Sequence, residues 1–162
     1  MFDLIVDTSP IQYLHQLELL HILPNLAKQV FVPFAVIEEI KIGHSLAVNL
    51  PKLEELDWVN VRQPASAQAL PLITNLGPGE TEVLMLGLEM RGAVVVLDDG
   101  PARDLAEILD LRFTGTLGLL LDAKKAGFVT EIRPLLEKLH SLRFRVAPRT
   151  FTAVLRLAGE AD

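Results

Sequence analysis

The groups in this chain that could do chemistry are carboxylates set at the ends of apolar runs. VVVLDDGPAR (94–103) drives four apolar residues straight into Asp98 and Asp99. LIVD (4–7) ends the same way on Asp7. Ending a buried strand on negative charge costs repulsion and desolvation. A surface turn removes that cost, whereas a bound cation removes it and gives the charges a use. A third acid sits in GPGETEVLMLGLEMRG (77–92). At about 100° per residue, Glu80 shares a helix face with Val83, Leu84, Gly87 and Met90. Glu82 and Glu89 share the opposite face and read as solvent-facing. An inward Glu80 in the first turn is favoured by the helix dipole, or caps free N–H groups. Glu38 and Glu39 flank Val36, Ile37 and Ile40, with Glu39 nearer the apolar stripe; a solvated helix edge accounts for both equally.

Carboxylates sharing a cleft stay ionised together only if a cation compensates them. Oxygen ligands without His or Cys suit Mg²⁺ or Mn²⁺. One or two such ions activate a water and stabilise charge on a phosphodiester. No competing nucleophile is visible. The chain has no Cys, which excludes thiolate catalysis, disulfides and Cys-held zinc, and makes a cytoplasmic location the expectation. His15, His21, His44 and His140 are scattered, without metal-ligand spacing. There is no P-loop, GxGxxG or GxSxG.

Positioning these acids is the work of the intervening elements. The 162 residues fit one domain, half of them are hydrophobic, and disorder is excluded on composition. No apolar run approaches the roughly 20 residues of a membrane span. MFDLIVDTSP has no basic n-region and is not expected to be a signal peptide. A net charge of −6 gives no bulk electrostatic grip on nucleic acid. Strands are expected at 4–7, 30–33, 58–64 and 94–99, with a short strand or turn in RFTGT (112–116). Helices are expected as a hairpin over 10–28, where Leu14, Leu17, Leu20 and Leu23 form the core face, then over 34–42, 44–56 and 77–92. Further helices follow in ARDLAEILDL, in LGLLLDAKKAG ending at Gly127, and in RPLLEKLHSL and PRTFTAVLRLAGE, the last two a helical extension from about 130 to 162. Short apolar strands that do not alternate, separated by helices, predict a three-layer α/β/α fold on a mostly parallel sheet of four or five strands. Ligands gather outside the carboxyl ends of such strands. If the first and fourth strands are neighbours, Asp7, Asp98 and Asp99 converge there.

IVDTSPIQYL, VPFAVIEEI, LGPGETEVLMLGLE and VVVLDDGPARDLAEILDL, followed by FTGTLGLLLDAKKAG and FRVAPRTFTAVLRLAGE, resemble the PIN-domain family. The likeness is to its prokaryotic branch related to VapC-like toxins of toxin–antitoxin pairs, and it covers nearly the whole chain. It implies a metal-dependent ribonuclease using Mg²⁺ or Mn²⁺ and leaving a 3′-hydroxyl and a 5′-phosphate. It implies Asp7 as first metal ligand, supported by Thr8 and Ser9, and Glu39 as the acid after the second strand. It implies Asp99 as the later metal-site acid, because Ala102, Leu105 and Ala106 follow it at the family's apolar spacing. Asp98 then becomes a supporting acid or helix cap. The usual Asp-Ala opening of the intervening helix is absent, so Glu80 or Glu82 substitutes; the face argument favours Glu80. The expected catalytic set is Asp7, Glu39, Glu80 and Asp99, with Asp7, Glu80 and Asp99 on the metal. The resemblance also implies an RNA substrate and an antitoxin partner, and apolar surface left over from the Leu-rich stretch 14–23 is expected to serve a homodimer or higher oligomer, or the antitoxin.

Other groups carry paired readings. Arg103 contacts a phosphate or forms an ion pair with Asp98 or Asp99. Thr114-Gly115-Thr116 offers free N–H groups to a phosphate, or Thr114 or Thr116 caps the next helix. Lys124, Lys125, Arg143, Arg145, Arg149 and Arg156 form an RNA-facing surface or an ordinary solvated face. A PIN-fold binding module with a weakened metal site, acting through protein or RNA partners, is the alternative function. A receiver-type phospho-acceptor fits less well because its acidic pair belongs after the first strand. An Asp-x-Asp phosphatase fails because Ser occupies position 9.

Overall fold

A computed structural model of the chain describes residues 1–65 and 75–161. Five short strands form its centre: β1 (Leu4–Val6), β2 (Val30–Pro33), β3 (Val59–Arg62), β4 (Val94–Val96) and β5 (Arg112–Thr114). They form one sheet in the order β3-β2-β1-β4-β5, and every pairing is parallel. β1 and β2 are buried throughout, whereas the edge strands β3 and β5 are largely open to solvent. That is why the inner strands read as unbroken apolar runs.

The described helices are α1 (Thr8–Gln16), α2 (Ile22–Leu26), α3 (Phe34–Ser45), α4 (Pro78–Glu89), α5 (Gly100–Ile108), α6 (Thr116–Lys125), α7 (Arg133–Ser141) and α8 (Pro148–Leu157). They flank the sheet, giving the α/β class expected. α4 lies across β2, β1 and β4 and packs on α3 and α5. It is buried almost all round, at Gly79, Thr81 and Val83 to Gly87. Gly87 permits its close approach to the sheet. A Cβ there would fall 2.8 Å from Val95 Cγ1 and 3.1 Å from Leu111 Cδ1. The other group, α1, α2 and α8, gathers on α6. Leu14, Leu17, Leu20 and Leu23 are buried in the core, as the hairpin pattern required, and Leu136, Leu139, Val154 and Leu155 join the same cluster.

Several boundaries differ from expectation: the third strand stops at Arg62 rather than 64 and the fourth at Val96, before the acids, rather than at 99. α3 continues past residue 42 to Ser45, and no helix spans 44–56; only a 3₁₀ turn, Leu53–Glu55, forms there. Pro51 supplies no N–H and disfavours helical geometry at Leu50. Ala47 reverses the chain at φ 60, and the His44 ring holds the carbonyls of Leu50 and Pro51 at 3.1 Å. Near the end of the chain, Glu160 receives the N–H groups of Ile132 and Arg133 at 2.7 and 3.0 Å, capping α7. Lys124 of α6 joins it at 2.8 Å.

The strand order reverses between β1 and β4, because the chain builds outward from β1 to β3 and returns beside β1 as β4. In parallel α/β sheets this switch point opens a crevice beyond the strands' carboxyl ends. Asp7, Asp98 and Asp99 all follow those two strands.

Candidate active site

Register decides how closely the acids meet. Val6 pairs with Val96, which sets Asp7 level with Leu97 and one residue short of Asp98. The Asp7 N–H donates to Val96 O at 3.1 Å, prolonging the ladder and pinning its Cα. The side chain is 3 % exposed, and its Oδ1 is buried without a hydrogen-bond partner. Burial, reinforced by the nearby charge of Glu80, pushes the Asp7 carboxyl up to about 8. The Thr8 N–H opposes this, and Glu39 and Asp98 add to it. A buried carboxylate beside three others meets both desolvation and like-charge repulsion, and both favour its protonated form.

Glu39 reaches this point from α3. One carboxylate oxygen accepts the Thr8 hydroxyl and the other accepts the Gly79 N–H at 2.9 Å. It thereby ties the start of α1 to the start of α4. Gly79 is what lets it in: a Cβ at that position would lie 2.6 and 2.9 Å from the two Glu39 oxygens and 3.0 Å from Asp7 Oδ1. Glu80, the next residue, is half-buried. Burial raises its carboxyl above the ordinary range, a hydrogen bond with its own backbone opposes, and Glu39 and Asp99 push the same way as burial.

Asp98 and Asp99 divide two tasks. Asp98 accepts from Ser9 Oγ at 3.0 Å, from Thr116 Oγ1 at 2.7 Å and from the Thr116 N–H at 2.8 Å. It fastens α1 and α6 to the end of β4. Asp99 is the N-cap of α5, with Oδ2 accepting the Ala102 N–H at 3.0 Å, and is exposed. Asp7, Ser9, Glu80, Asp98 and Asp99 line a cleft of about 340 Å³, together with Tyr13, Arg143, Phe144 and Arg145. Glu80 and Asp99 also border an adjoining cavity of about 490 Å³ with Gly77, Pro101 and Leu105.

Several expectations are corrected here. Glu82 does not face solvent. It reaches back to the Ala35 N–H at 2.8 Å and caps α3, whose own N-cap residue, Pro33, offers no side-chain acceptor. The helix-capping aspartate is Asp99 rather than Asp98. Neither Thr114 nor Thr116 caps α6, and the Thr116 N–H is not free for a phosphate, because Asp98 occupies it. Arg103 forms no ion pair with Asp98 or Asp99 among the described residues; its guanidinium lies over the Phe113 ring at 5.3 Å. The basic third of the chain is not one surface. Lys124 is spent on Glu160 and Ala158 O, while Arg143 and Arg145 stand at the cleft. Glu38 sits outside on an exposed pair with Lys41.

The sequence reading missed Gly79, Tyr13 and the placement of Arg143, Phe144 and Arg145. Gly79 had a visible cue in its position beside Glu80. Arg143 and Arg145 belonged to the basic set read as an RNA-facing or solvated face, whereas the Tyr13–Phe144 contact had no cue, since more than a hundred residues separate the two rings.

Among the described residues, no three His, Cys, Asp or Glu side chains stand close enough to one point to enclose an ion. The donor set still fits a hard divalent cation. It is all oxygen, Asp7 Oδ1 is buried and unpartnered, and such ions take one or two carboxylates and keep several waters. Among the described residues no helix is long and apolar enough to cross a membrane. The DUF3368 family model, described as a PIN domain, matches residues 3–160. No curated protein matches the chain.

Proposed function

This chain belongs to the PIN-domain family, and from that we propose that it is a metal-dependent ribonuclease. PIN domains are typically nucleases, which makes nucleic acid the substrate class. The observation that carries the reading is the unpartnered Asp7 Oδ1, buried beside Glu39, Glu80 and Asp98 at the switch point of the sheet. Asp7, Glu80 and Asp99 line the cleft that would hold Mg²⁺ or Mn²⁺, one or two of them binding the ion directly and the rest acting through the waters it keeps. When bound, the ion supplies a polarised water and positive charge at the phosphodiester being cut.

The chain's own residues prepare that event. The strand ladder fixes the Asp7 backbone, so its side chain starts from a set position at the end of β1. Glu39, held by Thr8 and the Gly79 N–H, keeps a second carboxylate beside Asp7. Asp98 holds Ser9 and the start of α6 in place and so shapes the wall facing the substrate. Thr8, Ser9 and Thr116 act through these acids. Glu80, rather than Glu82, serves as the acid of α4, because Glu82 is committed to α3.

The test is cleavage of end-labelled RNA with Mg²⁺ or Mn²⁺. Asp7→Asn and Asp99→Asn should each abolish cleavage while thermal unfolding stays cooperative. Undiminished cleavage by both overturns the assignment. Calorimetric titration with Mn²⁺ addresses the alternative: no heat of binding at millimolar ion makes the chain a binding module instead.

The biological role that goes with this reading is that of a toxin neutralised by an antitoxin protein, acting as a homodimer or larger oligomer in the cytoplasm. Its support is the likeness of IVDTSPIQYL and VVVLDDGPARDLAEILDL to toxin-related PIN sequences. Expression should arrest growth, and co-expression of a neighbouring small reading frame should relieve the arrest.

A further inference from the structure

A cleft lined by four carboxylates repels a polyanion. The other residues that line it hold the answer to that difficulty. The turn after α7 is fixed by two hydrogen bonds, Arg143 N–H to His140 O at 3.1 Å and Phe144 N–H to Leu139 O at 2.9 Å. It presents Arg143 and Arg145, both exposed, to the same cleft as Asp7, Glu80 and Asp99. Neither arginine is neutralised: among the described residues the only ion pairs within 4.0 Å are Lys41–Glu38 and Lys124–Glu160. Between them Phe144 meets Tyr13 edge to face, with centroids 4.9 Å apart and planes at 81°. Both rings are half-buried and line the cleft, so they offer apolar surface with a wet rim.

Two unpaired guanidiniums beside an aromatic pair are the parts that recognise a phosphate backbone with unstacked bases. A duplex keeps its bases stacked away from such a surface. Resting on the ribonuclease reading, we propose that Arg143 and Arg145 grip the phosphates of single-stranded RNA across the cleft, while the Tyr13–Phe144 pair receives one base. They are positioning residues: they hold the strand over the acids and take no part in bond cleavage. The negative net charge of the whole chain is thereby offset locally at the one place where it matters.

The experiment uses the full chain carrying Asp7→Asn, which prevents cleavage, and a labelled single-stranded oligo(U) whose anisotropy reports binding. Arg143→Ala and Arg145→Ala should each weaken binding about tenfold and flatten the slope of log K against log salt by about 0.7. The Lys variants should keep the slope and recover part of the affinity. Phe144→Leu should weaken binding without changing the slope. Lys125→Ala and Arg156→Ala, away from the cleft, should change neither. Duplex RNA should compete poorly. With Asp7 restored, the alanine variants should raise KM and leave kcat nearly unchanged. Absence of oligo(U) binding, or an unchanged slope in both Arg→Ala variants, overturns the proposal. The two readings fail separately. Cleavage by the native protein with unaltered KM in both arginine variants sinks this inference alone. Slope changes in a protein that never cleaves RNA sink the nuclease reading alone.

Discussion

Asp7→Asn should make the metal-free protein more stable while destroying its activity. In the folded chain burial and neighbouring acids hold the Asp7 carboxyl near 8, against 3.8 for the unfolded residue. Between those values the unfolded state has lost its proton and the folded state keeps it. The unfolded state then binds fewer protons, so stability falls as pH rises, at about 1.4 kcal/mol per pH unit. The loss begins near pH 4, is about 4 kcal/mol at pH 7, and levels off above pH 8. Asn carries no charge, and its NH₂ meets surrounding carboxylates that accept hydrogen bonds. Allowing for an imperfect fit of the amide, the variant should gain about 2 to 4 kcal/mol at pH 7, or roughly 5 to 15 °C in Tm. The assay is thermal unfolding with chelator present, from pH 4 to 9, for native and variant protein. The gap should open steadily from pH 4 and become constant above pH 8. Added Mn²⁺ should stabilise the native protein and narrow the gap, because the ion favours the ionised carboxylate. A gap independent of pH, or a variant less stable than native at pH 7, would refute the reasoning.

Other outcomes follow from the same contacts. Gly79→Ala gains up to about 1 kcal/mol of helix propensity, yet its Cβ displaces Glu39; thermal unfolding should move little, while RNA cleavage should fall at least tenfold. Thr116→Val removes one hydroxyl bond to Asp98 at a buried site, and chemical denaturation should show a loss of about 1 kcal/mol. Glu82→Ala strips the cap from α3 and should cost about 1 kcal/mol by the same measurement, with cleavage largely retained. Burial alone would raise the Glu160 carboxyl, but the Lys124 hydrogen bond and the Arg133 and Ile132 N–H groups outweigh it and hold it at about 2. That support is present above the ordinary carboxyl value of 4.5 and lost as pH falls toward 2. Glu160→Gln should therefore lower Tm at pH 7, and melts at decreasing pH should bring the two proteins together.

By itself the sequence determined the classes of element and the chemistry available. Buried parallel strands must be apolar on both faces, so LIV, VFV and VVV announced the inner sheet and the acids that end it. Pro78 and Gly127 marked helix ends through backbone restrictions that act within a few residues. Helical periodicity put Glu80 on the face of Leu84 and Gly87 but misplaced Glu82, because α4 is buried almost all round. The α/β class, the Asp7–Asp98–Asp99 convergence and the PIN-domain membership were legible for these local reasons. Tertiary structure decided the rest, because it depended on which distant groups meet. Glu82 and Glu39 lie on helices with similar patterns; only the packing of α4 on α3 made one a cap and the other a neighbour of Asp7. Asp98 and Asp99 are adjacent and identical in type, and the end of β4 sends one side chain to Ser9 and Thr116 and the other to the α5 backbone. The arginines of the α7–α8 turn joined the cleft through the folding of the last thirty residues onto α6. A carboxylate's role is set by the donors and charges within a few ångströms of it, and those come from segments that linear order does not bring together.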